Sequence, residues 1–339
     1  MFFRKVYIKV RVFLYAKRRF FNTLAVSAML LTLFYIFVNS FVFERVVMGK
    51  AQDDEINRKY DKALSLYNFA GLYYGLNHFS EDNKHIYFEI PYRKSICYMM
   101  KGDKRKSIES MLLGMLSVQK QYGVISKETG YFMRKYLIEF YLNNNNLFLA
   151  RQEFSNLLII YRAIGYNDNE MSDIIRLSGD LCYEQKQYNT AMEFYEKAYK
   201  EIASQRNIDY EIFSKIVNRI CDYQITNGRT EDAVNIYTNA IEIIKASGSK
   251  QNELAATMLL RLGDLYSHAE ENSTSKKAIP YYEEAITLIR TLPRVSFLRQ
   301  NLKEYLTILK ELYTKDSQYH KVQLIDADLT KMRRFTFLD

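Results

Sequence analysis

Residues 188–203 read YNTAMEFYEKAYKEIA. The decisive pattern is Tyr188-x-x-Ala191-x-x-x-Tyr195-x-x-Ala198. Offsets of three, four and seven place these side chains on one face of an α-helix. The pattern recurs as Ala233-x-x-x-Tyr237-x-x-Ala240 and Ala278-x-x-x-Tyr282-x-x-Ala285 downstream, and as Tyr60-x-x-Ala63-x-x-x-Tyr67-x-x-Ala70 upstream. Ser107/Met111/Gly114 and Ala150/Phe154/Leu157 are looser copies, and a degenerate last copy centres on Val322. The leading positions 63, 107, 150, 191, 233, 278 and 322 keep every interval between 41 and 45 residues. A sustained period of this length marks stacked repeats of helix pairs.

Each copy implies a partner helix. Twelve residues before the leading alanine stand Gly179 and Cys221. Before Ala278 the marker is Gly263, with three extra residues read as a loop over Ala269–Lys277. Small residues at these points let two helices approach closely, and the aromatic fills the space between repeats. Asn143–Asn146, Gly228 and Lys101-Gly102-Asp103 are turn-forming residues between paired helices. Sustained heptads are missing and turns recur about every 20 residues, which excludes a long coiled coil. Leu-Gly-x-x-Tyr at Leu262–Tyr266, followed by Ala278, Tyr282 and Ala285, resembles the tetratricopeptide repeat family over about residues 45–335. The resemblance implies an all-α fold, a right-handed α-α superhelical solenoid of about six to seven helix pairs in residues 44–339. The family's usual period is ~34. The longer period here is similar to the kinesin-light-chain-like branch. The family's tryptophan on the first helix is missing, as Trp is absent from the chain, and its proline after the second helix is missing too.

Composition agrees with a helical array. Gly (12) and Pro (3) are too scarce for the turns of an all-β protein. The net charge of +9 is concentrated at one end. Arg4, Lys5, Lys9, Arg11, Lys17, Arg18 and Arg19 precede any acid, and removing these seven of 48 cations leaves 41 against 39 acids, or +2. No basic face remains for nucleic acid. Thr23–Phe43 (TLAVSAMLLTLFYIFVNSFVF) carries no charge over 21 residues. At ~1.5 Å per residue it spans ~30 Å, the thickness of a hydrocarbon core. The expected organisation is a basic tail (1–22), one transmembrane helix (23–43) and the repeat array. Cations stay on the side that does not translocate. The tail then faces a bacterial cytoplasm or mitochondrial matrix, and the array faces the periplasm or intermembrane space.

No catalytic constellation is visible. His78, His85, His268 and His320 match no metal-binding spacing, and Cys97, Cys182 and Cys221 form no paired motif. The chain is expected to be no enzyme and to need no cofactor or metal. One pattern stands above this background. Asp180, Asp222 and Asp264 each follow a first-helix marker at intervals of 42, with Glu139 and Glu311 in the same slot of looser copies. In tetratricopeptide arrays this slot faces the concave groove. An acidic ladder there favours a basic or extended polypeptide. The alternative is that the acids pair with Arg176, Lys215 or Arg261. If the ladder binds, charge reversal at Asp180, Asp222 and Asp264 together abolishes partner capture without unfolding the array.

The expected role is a membrane-anchored protein-binding adaptor or scaffold. Its layout resembles that of the tetratricopeptide adaptors of the fungal mitochondrial inner-membrane i-AAA protease. That resemblance implies delivery of substrates to an ATP-dependent protease, with the repeats in the intermembrane space. A bacterial periplasmic scaffold, a respiratory-complex assembly factor and an organelle import receptor are the alternatives.

Overall fold

The computed structural model describes residues 44–76, 84–267, 272–293 and 296–335. The basic tail and the apolar span Thr23–Phe43 lie outside the described residues. Among the described residues no helix is long and apolar enough to cross a membrane, and no strand is present. The chain divides into two units, residues 1–107 and 108–339.

In the first unit, a π-helical turn at Glu44–Met48 leads into α1 (Gly49–Ile56), which pairs with α2 (Tyr60–Leu76). Then come α3 (Lys84–Met100) and the start of α4 (Lys104–Tyr122). Ala51, Ala63, Tyr67, Ala70 and Cys97 are all fully buried in its core.

The second unit contains the rest of α4. It continues through α5 (Lys127–Phe132), a π-helical turn at Met133–Leu137, α6 (Ile138–Asn143) and α7 (Leu147–Ile164). Three regular pairs follow: α8 (Asp168–Glu184) with α9 (Tyr188–Ala203), α10 (Tyr210–Thr226) with α11 (Thr230–Ala246), and α12 (Asn252–Ser267) with α13 (Asn272–Thr291). A short α14 (Phe297–Gln300) precedes the last pair, α15 (Leu302–Lys315) and α16 (Tyr319–Phe335). From α8 onward the two helices of each pair pack together, the second helix of each pair packs on the first helix of the next, and one hydrophobic core runs from Ile175 to Ile325. The described residues are therefore all-α and built of repeated helix pairs, with every leading position of the sequence pattern on the second helix of a pair.

The side chains explain the spacing. Ala63, Ala150, Ala191, Ala233 and Ala278 are completely buried, as are Ser107 and Met111 of a looser copy. Only the last copy is offset: Ile325 is buried while Val322 and Leu329 are half-buried. First and second helices touch closely enough for Ser107 Oγ to donate to the Ser95 carbonyl at 2.8 Å and for Cys221 Sγ to reach the Ala233 carbonyl at 3.6 Å.

The turns are equally regular. Five residues before the leading position the chain enters the left-handed region, at Arg58, Gly102, Asn145, Lys186, Gly228 and Ser317, with φ between 55° and 81°. This single residue reverses the chain between paired helices. Helix starts are capped by Ser126, Asn146, Asn167 and Asp209, with a reciprocal box between Asn167 and Glu170. The expected loop over Ala269–Lys277 is corrected. Residues from Asn272 onward are already helical, because Ser-Thr-Ser-Lys-Lys contains no helix breaker. The three extra residues therefore serve largely to lengthen α13.

Candidate functional site

The first helices of four successive pairs line one groove-like pocket of about 250 Å³. Glu139, Leu142 and Asn143 come from α6, Arg176 and Asp180 from α8, and Arg261 from α12. Lys215, Asn218, Arg219 and Asp222 come from α10. No second-helix residue lines it. The helical period explains this, since residues four and seven apart on each first helix share one face.

The acidic slot lines the pocket at three of its five positions, and there the acids are paired. Asp180 is 3% exposed. It accepts from Arg176 Nη1 at 2.6 Å, from Arg219 Nε at 2.8 Å and from the Tyr195 hydroxyl at 2.7 Å. Glu139 receives Arg176 Nη2 at 2.8 Å and Lys215 Nζ at 2.9 Å. Asp222 is half-exposed and receives Arg261 Nη1 at 3.0 Å. Asp264 lies on the exposed side of α12 and accepts from the Tyr282 hydroxyl. Glu311 is exposed on α15 and makes no ion pair among the described residues. Neither Asp264 nor Glu311 lines the pocket. Of the two readings of the acidic slot, internal pairing is the arrangement at Glu139, Asp180 and Asp222: the pocket carries three acids and four cations, and most of those charges are committed to each other.

Sequence reasoning named Arg176, Lys215 and Arg261 as partners, and all three occupy that role. It missed Arg134, Asp173, Asn218 and Arg219. Asp173, Arg176 and Asp180 fall at offsets of three, four and seven on α8, the same signal that identifies the repeat. Arg176 is 2% exposed and also donates Nε to Asp173 at 2.6 Å. Asp173 in turn binds Arg134 from the π-helical turn. Burial alone would raise the Asp173 carboxyl, but Arg176 and Arg134 together hold it below the usual carboxylate range. Two further pairs reach across α8: Lys135 Nζ meets Glu211 at 3.0 Å and Lys215 meets Glu139, both separated by 76 residues. They tie first helices two repeats apart.

The signature tyrosines serve this face as well. Tyr195 and Tyr282 donate to the slot acids, while Tyr237 donates to Asn218 Oδ1 at 3.1 Å. In the first unit Tyr67 donates to Glu55 at 2.6 Å. Burial and then the adjoining Asp180 push the Tyr195 hydroxyl far above its ordinary value, so it remains a donor at all physiological pH. Because Tyr237 is turned to Asn218, Arg261 is the one side-chain partner of Asp222 among the described residues.

The exposure of the Asp222–Arg261 pair sets its weight. Asp222→Asn should cost less than about 1 kcal/mol, since solvent screens a pair at this depth. A thermal melt checks this, and a loss several times larger would mean that the pair is structural.

No family model matches this chain, and no curated protein matches it. Three solved structures illustrate the likeness found. The signal transduction ATPase with a tetratricopeptide repeat sensor from Pyrococcus horikoshii has 15% identity and a TM-score of 0.48, covering 91% of this chain and 41% of that one. Aspartyl phosphate phosphatase F from Bacillus subtilis has 14% identity and a TM-score of 0.48, covering 88% and 76%. The Rap conjugation gene regulator of plasmid pLS20, in complex with the Phr* peptide, has 14% identity and a TM-score of 0.47, covering 84% and 76%.

Proposed function

We propose that this chain is a protein-binding adaptor or scaffold whose first-helix groove holds an extended polypeptide. The observation that carries this reading is the pocket lined solely by first-helix side chains from four successive pairs. Such a surface repeats its donors and acceptors along a line, as an extended backbone does. The committed charges form its floor. Asp222, Arg219 and Arg261 are about half-exposed, and with Asn218 they remain able to meet a ligand. A ligand carrying both acidic and amide groups suits this mixture better than a purely basic one. No catalysis is assigned to the site.

The finer reading places the array at a membrane through Thr23–Phe43, with the cationic tail on the opposite side. In a mitochondrial setting it would sit in the inner membrane, face the intermembrane space and present substrates to an ATP-dependent protease. In a bacterial setting the repeats would face the periplasm. Protease protection of a C-terminal tag, before and after rupture of the outer membrane, separates these placements from an outward-facing receptor.

The groove is tested by exchanging its half-exposed pair. Asp222→Arg with Arg261→Asp keeps the ion pair but inverts the local field. The melting temperature should stay close to that of the parent chain. Recovery of cross-linked partners should fall by about tenfold, corresponding to ~1.4 kcal/mol. An unchanged partner spectrum from the exchanged protein would rule the groove out as the binding surface. Reversal at Asp180 is unsuitable for this purpose, because it would strand Arg176 and Arg219 and confound folding with binding.

A further inference from the structure

In the copies led by residues 63 to 233 the second helices turn three positions outward, the fifth, sixth and ninth after the leading small residue. These hold Glu196, Lys197 and Lys200 after Ala191, and Thr238, Asn239 and Glu242 after Ala233. After Ala278 they hold Glu283, Glu284 and Thr287. In the copy led by Ser107 the same three positions are Leu112, Leu113 and Leu116, which are 44%, 56% and 60% exposed. The inner face of α4 is already furnished by buried Met111, Met115 and Val118, so packing does not require these leucines.

The exposed strip extends through Ile108 at one end and Val124 and Ile125 at the other. By helical period Arg105 and Lys120 lie on the same face, and both are exposed. Lys104 and Lys106 flank Arg105, and Glu109, exposed on the same face one turn before Leu113, is the only acid against four cations (Lys104, Arg105, Lys106 and Lys120) between residues 104 and 125. The neighbouring copies follow the same trend. The first has exposed Phe69 and Leu72 in the sixth and ninth positions, and the third has Ile159 in the ninth. From the fourth copy onward these positions are almost entirely polar.

We propose that the outward face of α4 lies on an anionic lipid surface. Leu112, Leu113 and Leu116 enter the acyl boundary, and Arg105 and Lys120 sit at headgroup phosphates. Leucines between cationic ends are the composition of an interfacial helix. The cations at both ends complement lipid phosphates, whereas a protein partner would require matching acids placed at both ends. The inference rests on reading Thr23–Phe43 as a membrane span. A tether of that kind raises the effective concentration of lipid at the array, so a weakly binding helix suffices.

The test uses the full chain reconstituted in phosphatidylcholine vesicles with and without phosphatidylglycerol. An environment-sensitive fluorophore is placed by Leu116→Cys, or by Lys200→Cys as the outward control, each with Cys182→Ser. In phosphatidylglycerol vesicles the probe at 116 should shift to the blue. Lipid-borne nitroxide should quench it at least about twofold more than the probe at 200. Leu112→Gln with Leu113→Gln should abolish the difference while the chain stays folded and resistant to carbonate extraction. Equal quenching at both sites by an aqueous quencher overturns the proposal. A blue shift without quenching by lipid nitroxide means that protein, such as a second copy, covers the face, and overturns it too. Extraction of the full chain by carbonate would remove the anchor and the lipid proposal together, while the groove exchange would still report on polypeptide binding.

Discussion

Arg176→Met should lower the unfolding free energy by about 3–5 kcal/mol, the cost of removing one member of a buried ionic cluster. The guanidinium is 2% exposed and uses all three of its nitrogens: Nε on Asp173, Nη1 on Asp180 and Nη2 on Glu139. Methionine fills a similar volume but leaves three carboxylates around an apolar side chain. Arg134, Arg219 and Lys215 still hold one each. The local balance nevertheless shifts by a full unit of charge where water is scarce. Two controls separate this account from simple loss of packing. Adding Asp173→Asn should restore part of the loss, with a coupling energy of about 1 kcal/mol or more. The second control is pH. Asp173 is held below its ordinary carboxylate value when folded. Its contribution is therefore present above the unfolded value of about 3.9 and fades as pH falls through the folded one. The gap between parent and variant should narrow in acid. Urea unfolding followed by circular dichroism at neutral and acidic pH checks both. A gap that stays constant with pH would locate the loss in packing instead.

The same variant should change cooperativity. In a repeat array, stability is close to a sum of repeat and interface contributions. Arg176 belongs to α8 but binds Glu139 of the preceding pair, and Glu139 binds Lys215 of the following one. Losing this connection should broaden the unfolding transition or split it near residues 165–167.

Much of the fold was legible because it rests on local rules. Leading positions 63 to 278 are buried, since offsets of three, four and seven read directly as a helix face. Asn143–Asn146, Gly228 and Gly102 announced their turns because they favour the conformation a reversal needs. Arg58, Lys186 and Ser317 perform the same reversal without any such preference. There the helices on both sides impose the turn, and only the constant five-residue offset from the leading position betrays it. The site was legible in part. The acids at 139, 180 and 222 lie on the groove side, but their neutralisation depends on packing between distant helices. Lys215 and Glu139 are 76 residues apart, and Arg134 reaches Asp173 from a π-helical turn that no sequence period encodes. A period read from single helices reports which face a residue takes and leaves its partner on another helix undetermined.

Gly179→Ala should destabilise the array by about 1–3 kcal/mol, the range for forcing a methyl into a well-packed interior. A Cβ built there would stand 2.6 Å from Tyr195 Cε1, 2.8 Å from Cδ1 and 3.1 Å from the Ala191 carbonyl oxygen. The ring cannot step aside easily, because it is buried and its hydroxyl is tied to Asp180. Moving Tyr195 would weaken the donor to the most buried slot acid, so the packing error would spread to the ionic cluster. Gly263 makes the same contact with Tyr282 at 2.6 Å, yet Asp264 at that site is exposed. Displacing the ring there disturbs an acid already in water. Gly179→Ala should therefore cost more than Gly263→Ala, although the closest ring contacts are equal; the added methyl at 179 also meets the Ala191 backbone, and at 263 only the ring. Adding Tyr195→Phe to Gly179→Ala frees the ring from its hydrogen bond and tests the route of the effect. If the ionic link matters, the double variant should lose less than the sum of the single variants. Chemical denaturation of the four proteins decides it: equal losses for the two glycines, with strictly additive effects, would confine the cost to the local clash.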